Sequence, residues 1–234
     1  MGLASVHYPG LSTNSINQVK SKFKAILDDT CFLPSFAHKA EDNLITANPI
    51  NFCSTELKGL VSRDREFIIG RSHGDLHTKN VLKDSIGAIW VVDWRHFTTT
   101  GHFAMDFSRL ESEIIACIDF SEADAIQLGS ILTEMLQNGK ILNYDELKSD
   151  NYSSDVLKAL CACIEIQKLY KDSLSKCNIS LDDDRVLGEY RLGLFLNLIS
   201  AASRTTASTL GGEISLFYAG LLVESVRRYS RMTF

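Results

Sequence analysis

The sequence predicts an α+β protein that is mostly α-helical. Three observations carry this. Apolar residues recur at helical spacing before Glu66 and again after Phe107. Between those stretches, Phe67-Ile68-Ile69 and Ala88-Ile89-Trp90-Val91-Val92 are short β-prone runs. Joining the two runs, Ser72-His73-Gly74-Asp75-Leu76-His77-Thr78-Lys79-Asn80 is polar and dense in functional side chains.

Taken in order, the elements are these. All three prolines (Pro9, Pro34, Pro49) fall early, where helices joined by loops are expected. Val19, Phe23, Ile26 and Leu27 form a helical stripe entered near Ser15 and ended by Asp28-Asp29-Thr30. A second short helix is expected over 54–63. Residues 67–69 read as a buried strand. Residues 80–93 read as a hairpin turning at 83–87, with Asn80 at its start and Asp93 at its finish. Helices are predicted over 109–120 and 122–137, the latter stopped by Asn138-Gly139. Ser153-Ser154-Asp155 leads into an amphipathic helix carrying Val156, Leu160 and Ile164. Asp182-Asp183-Asp184 opens the next, with Leu187, Tyr190, Leu194 and Leu198 on one face. That acidic run is read as helix capping and favourable charge at the helix start, in preference to a pocket for a cationic substrate. Gly211-Gly212 separates this helix from a last one near 214–229, whose Arg227, Arg228 and Arg231 are read as a solvated end.

Composition bounds the function. With 45 % hydrophobic and 23 % charged residues, the 234-residue chain has the mix of an ordinary folded protein, and disorder over its whole length is not expected. A net charge of −5 argues against a dedicated nucleic-acid partner. No apolar run approaches the roughly 18 residues of a membrane span, and the first residues lack a charged-then-apolar leader. A cytoplasmic protein is therefore expected. The six cysteines lack a C-x-x-C pair and read as reduced thiols, with Cys161 and Cys163 packing as small hydrophobes in a helix.

The polar cluster points to chemistry. Asp75, in a loop after a strand, can accept a proton from a hydroxyl nucleophile or orient it. Asn80 and Asp93 lie at the two ends of one hairpin, where a carboxamide and a carboxylate can converge on a hard divalent cation such as Mg²⁺. A base and two oxygen ligands of this kind are what phosphoryl transfer from a nucleotide requires. A metal-hydrolase reading would use His73, Asp75, His77, His96, His102 and Asp106. It lacks the H-E-x-x-H pattern on a helix, and His96 and His102 read as exposed loop residues.

His73 to Asn80 resembles the H-G-D-x-H-x-x-N catalytic loop of the aminoglycoside phosphotransferase and choline-kinase-like superfamily, relatives of the protein kinases. Val91-Val92-Asp93-Trp94 resembles that superfamily's metal motif. Gly101-His102-Phe103-Ala104-Met105-Asp106-Phe107 resembles its Gly-to-Asp segment, and the wording at 106–111 is similar to bacterial ternary complex-associated domains. The resemblance spans about Phe67 to Glu111. It implies a single kinase-like large-lobe domain over 1–234: leading helices at 1–65, catalytic loop and metal hairpin at 66–111, and a helical bundle at 112–234. Asp75 is implied to be the catalytic base. His73 and His77 would organise the loop, Asn80 and Asp93 would bind Mg²⁺ with ATP, and Asp106 would brace the loop. The implied activity is Mg·ATP-dependent phosphoryl transfer to a hydroxyl of a small molecule or protein.

The same resemblance calls for a small lobe over the phosphates, with a glycine-rich loop and a strand lysine. The 72 residues before His73 show no G-x-G-x-x-G and no Val-Ala-Ile-Lys-like strand. The small lobe is therefore expected to be absent or vestigial. The alternative is a catalytically weak or inactive kinase-like module that docks a protein partner in a bacterial conflict or signalling complex.

Overall fold

The computed structural model describes residues 13–39, 44–57, 67–138, 147, 152–177, 183–204 and 209–232. Within them lie seven α-helices and three two-stranded antiparallel ribbons. The fold class is α+β and dominated by helix.

The chain opens with α1 (Thr13–Lys22) and the ribbon β1 (Cys31–Phe32) and β2 (Thr46–Ala47), then α2 (Pro49–Phe52). Asn48 caps α2: its Oδ1 accepts from Ile50 N at 2.9 Å and Asn51 N at 3.0 Å, and Pro49 fills the first helical position. A π-helical turn, Cys53–Leu57, extends α2. Next come β3 (Ile69–Ser72), β4 (Val81–Lys83), β5 (Ile89–Val91) and β6 (Thr98–His102). Here β3 pairs with β6 and β4 with β5, so the hairpin is inserted between the two strands of the outer ribbon. Five helices follow: α3 (Met105–Cys117), α4 (Glu122–Asn138), α5 (Ser154–Lys176), α6 (Asp183–Ser203) and α7 (Thr209–Arg231).

Helix α6 is the axis of the molecule. From Leu192 to Ser203 every residue is buried, on all sides of the helix. A helix of that pattern must be surrounded, and α1, α3 and α7 surround it. Phe195 meets Phe52 edge-on at 5.4 Å, and Tyr190 meets Tyr170 of α5 at 5.0 Å. A buried carboxylate on α6 ties the bundle to the outer ribbon. Glu189 accepts from Ile68 N at 3.1 Å, and His102 Nε2 lies 3.4 Å from it.

Several expectations shift. The first helix ends at Lys22; Leu27 lies beyond it and bridges Phe32 of β1. The expected helix over 54–63 starts earlier, at Pro49, and residues 58–63 lie outside the described residues. The helix expected from 109 starts at Met105, with Asp106 in its first turn where a carboxylate favours the helix start. Gly211-Gly212 sits inside α7 and does not separate helices. Arg227 is no solvated end: it clasps Glu56 (2.8 and 2.5 Å) and lies 5.3 Å over the Phe52 ring. Ser153 caps α5 as expected, accepting from Val156 N at 3.2 Å. Asp182 and the Gly139 stop lie outside the described residues. Among the described residues no helix is long and apolar enough to cross a membrane.

Candidate active site

The polar loop is held from both sides by backbone hydrogen bonds. Asp106, in the first turn of α3, accepts from His73 N at 2.5 Å and from Gly74 N at 3.0 Å. Hydrogen bonds from amides to a carboxylate are stronger than neutral ones. Gly74 has φ +82°, and a Cβ there would overlap the His96 carbonyl oxygen. Only glycine fits this turn. On the other side, the buried His73 ring donates from Nε2 to Val92 O at 2.8 Å and rests on the Trp94 ring, 4.8 Å between centroids. The hairpin closes the bracket: Val92 N donates to Asn80 O at 3.0 Å.

Asp75, Asn80 and His77 therefore share one surface. Asn80 is buried, and its side-chain amide nitrogen donates to the Asp75 carbonyl at 3.0 Å. Asp75 Oδ1 accepts from Arg109 Nη2 at 3.1 Å, and Oδ2 lies 3.7 Å from His77 Nε2. Burial lowers the His77 pKa, with Arg109, Arg204 and Lys79 adding to that and Asp75 opposing it. The imidazole is thus neutral at pH 7. Asp93 follows β5 in the left-handed region at φ 64°, the only non-glycine residue with positive φ among the described residues. Its carboxylate is clasped by Arg95, Nε to Oδ1 at 2.6 Å and Nη2 to Oδ2 at 2.8 Å. That clasp holds the Asp93 pKa below its ordinary range.

The sequence reading missed the cations behind this surface. Arg109 is mostly buried and lies between Asp75 and Glu113, whose Oε1 is 3.7 Å from Arg109 Nε. Arg204, at the end of α6, pairs with the same Glu113. Burial, aided by the nearby Arg109, brings the Arg204 pKa down to about 10. Arg109 was legible in principle. It stands one helical turn after Asp106, so a loop gripped by Asp106 comes within its reach. Arg204 lies 95 residues further on and carries no local signal.

The six-residue metal-hydrolase cluster does not assemble. His102 is buried and turns to Glu189, which corrects its reading as an exposed loop residue, while His96 is exposed. Asp106 is engaged by the loop amides. Among the described residues no three His, Cys, Asp or Glu side chains converge as a metal cluster. Asn80 and Asp93 stand at the two ends of the hairpin, and the Asp93 carboxylate is taken up by Arg95. In comparisons with known proteins, no family model, no curated protein and no solved structure matches this chain.

Proposed function

We propose that the chain is a kinase-like large-lobe domain that takes part in Mg·ATP-dependent phosphoryl transfer to a hydroxyl acceptor. The observation that carries this reading is the bracket built on Asp106. It presents Asp75 and Asn80 on one loop, with Asp93 entering in a left-handed conformation at the hairpin's end. Strained backbone of that kind is tolerated where a side chain must be aimed.

A carboxamide and a carboxylate are the oxygen donor types that a hard cation takes. Asn80 directs its amide nitrogen to the Asp75 carbonyl, which leaves the carboxamide oxygen as its ligand atom. Asp93 would supply the second oxygen once Arg95 releases it. Bound there, Mg²⁺ supplies neutralisation of phosphate charge. Asp75 takes the proton of the acceptor hydroxyl as the new oxygen–phosphorus bond forms and the bond to the ADP leaving group breaks. Arg109 holds the Asp75 carboxylate in place, and the His77 ring stands beside it. His73 and Asp106 position the loop without touching substrate.

A second reading, a docking module without turnover, is favoured by two observations. Arg95 already occupies Asp93, and the hairpin region exposes Ile86, Ile89, Trp90, Trp94 and Phe97. Calorimetric titration of Mg·ATP into wild type and Asp93→Ala separates the two. The kinase reading expects binding by wild type and at least tenfold weaker binding by the variant. Absence of heat from wild type leaves the docking reading. Where wild type binds, an Asp75→Ala variant with unchanged ATP turnover removes Asp75 as base.

A further inference from the structure

A cleft of about 350 Å³ opens between α4, α5, α6 and α7. Its size lies at the lower end of small-ligand pockets, roughly 300–1,000 Å³. Each helix contributes an apolar wall: Leu132, Ile164, Leu187 and Leu222. Its floor is formed by Gln167, Tyr190 and Tyr218. The Gln167 amide nitrogen and the two tyrosine hydroxyls donate to Glu111, which does not line the cleft. The floor thus offers ring faces and methylenes to an occupant, while its donors are engaged behind it.

Charge gathers at the rim. Lys168, Lys171 and Arg191 border the cleft together with Asp172, and Asp184 lies close enough to act on Arg191, so the cations remain in excess. Arg191 is fixed by a 2.9 Å hydrogen bond to Ser225 Oγ, so its guanidinium is held in position. Lys168 and Lys171 lie three residues apart and so occupy one face of α5. An apolar interior whose side-chain donors are already engaged disfavours a sugar or a nucleotide base, which would bury unpaired donors and acceptors there. A cationic rim selects a negative head.

We propose that this cleft binds a medium-chain carboxylate, with its alkyl chain between the four helices and its head on Lys168, Lys171 and Arg191. The proposal does not rest on the kinase reading. The cleft shares no residue with the Asp75 loop, and occupancy is measured without turnover.

The test is calorimetric titration of the full chain with decanoate below its micellar concentration, in parallel with decyltrimethylammonium. The expected result is one decanoate per chain, bound at least about tenfold more tightly than the cation. The double variant Lys168→Glu/Lys171→Glu changes exposed and half-exposed positions and should weaken decanoate about tenfold or more. Leu187→Trp, which fills the cleft from a half-buried wall position, should abolish binding. If circular dichroism shows that this variant fails to fold, the charge-reversal variant decides. No decanoate binding, equal binding of anion and cation, or unchanged affinity in the charge-reversal variant would overturn the proposal.

Discussion

At the scale of single residues, burial and hydrogen bonding oppose each other at Glu111. The side chain is fully buried, and burial raises its pKa, while donors on Gln167, Tyr190, Tyr218 and Cys163 pull it down. Burial wins, and the carboxyl titrates at about 7 against an ordinary 4.5. A carboxyl with a raised folded pKa holds its proton longer in the folded than in the unfolded chain. Its contribution to stability is therefore complete below pH 4.5 and is lost as pH rises through about 7. The loss amounts to about 3 kcal/mol. Glu111→Gln keeps the group neutral and should flatten the pH dependence. Urea denaturation from pH 4.5 to 8 checks this, and a slope equal to wild type would refute it. Arg95 controls whether the Asp93 carboxylate is free. If Asp93 ligates Mg²⁺, removing its exposed partner with Arg95→Ala frees the carboxylate. Affinity for Mg·ATP should then rise several-fold in calorimetry, and unchanged affinity would assign Asp93 to the ion pair alone.

At the scale of elements, α7 reaches the β1–β2 ribbon only because position 220 lacks a side chain. A Cβ on Gly220 would overlap Thr46 Oγ1 and lie 2.6 Å from the Ala47 carbonyl oxygen. The backbone carbonyl cannot swing aside as a flexible side chain would. Gly220→Ala should therefore destabilise the fold by about 1–3 kcal/mol. It should shift the urea midpoint without changing the slope. Helix α3 shows how one element serves two sides. Arg109 and Glu113 sit four residues apart and face the Asp75 loop. Glu111 lies between them in sequence and faces α5, α6 and α7. Helical periodicity alone directs these neighbouring charges in opposite directions.

At the scale of the whole molecule, the two-stranded β4–β5 hairpin contrasts with the buried bundle. Ile89 is 60 % exposed and Trp90 58 %, and an isolated two-stranded ribbon is marginal in water. The Asp84 turn supports it locally, its carboxylate accepting from Ala88 N at 2.8 Å and Trp90 Nε1 at 2.9 Å. Hydrogen exchange should open the amides of 81–91 by local fluctuation and those of α6 only with global unfolding. Mass spectrometry of exchanged peptides reads both, and equal protection would contradict this hierarchy. The exposed tryptophans mark the face that the docking reading would cover.

Several features were legible in the sequence because they depend on neighbours along the chain. The helical class, the 80–93 hairpin, the Ser153 cap and the polar loop rest on periodicity, turn chemistry and local hydrogen bonding. The candidate residues Asp75, Asn80 and Asp93 could be named for the same reason, since a short hairpin leaves little choice in how its ends meet. Other features came only from distant packing. The β1–β2 ribbon has two-residue strands, too short for a period to register. His102 is buried because Glu189, 87 positions later, waits beneath the outer ribbon. The Arg109–Glu113–Arg204 cluster and the cleft over Glu111 need helices that lie far apart along the chain. Burial and long-range pairing set their charges and pKa values, and no local pattern encodes either. The sequence by itself determined which chemical groups line the loop, whereas tertiary structure decided which cations stand behind Asp75 and where a cavity opens.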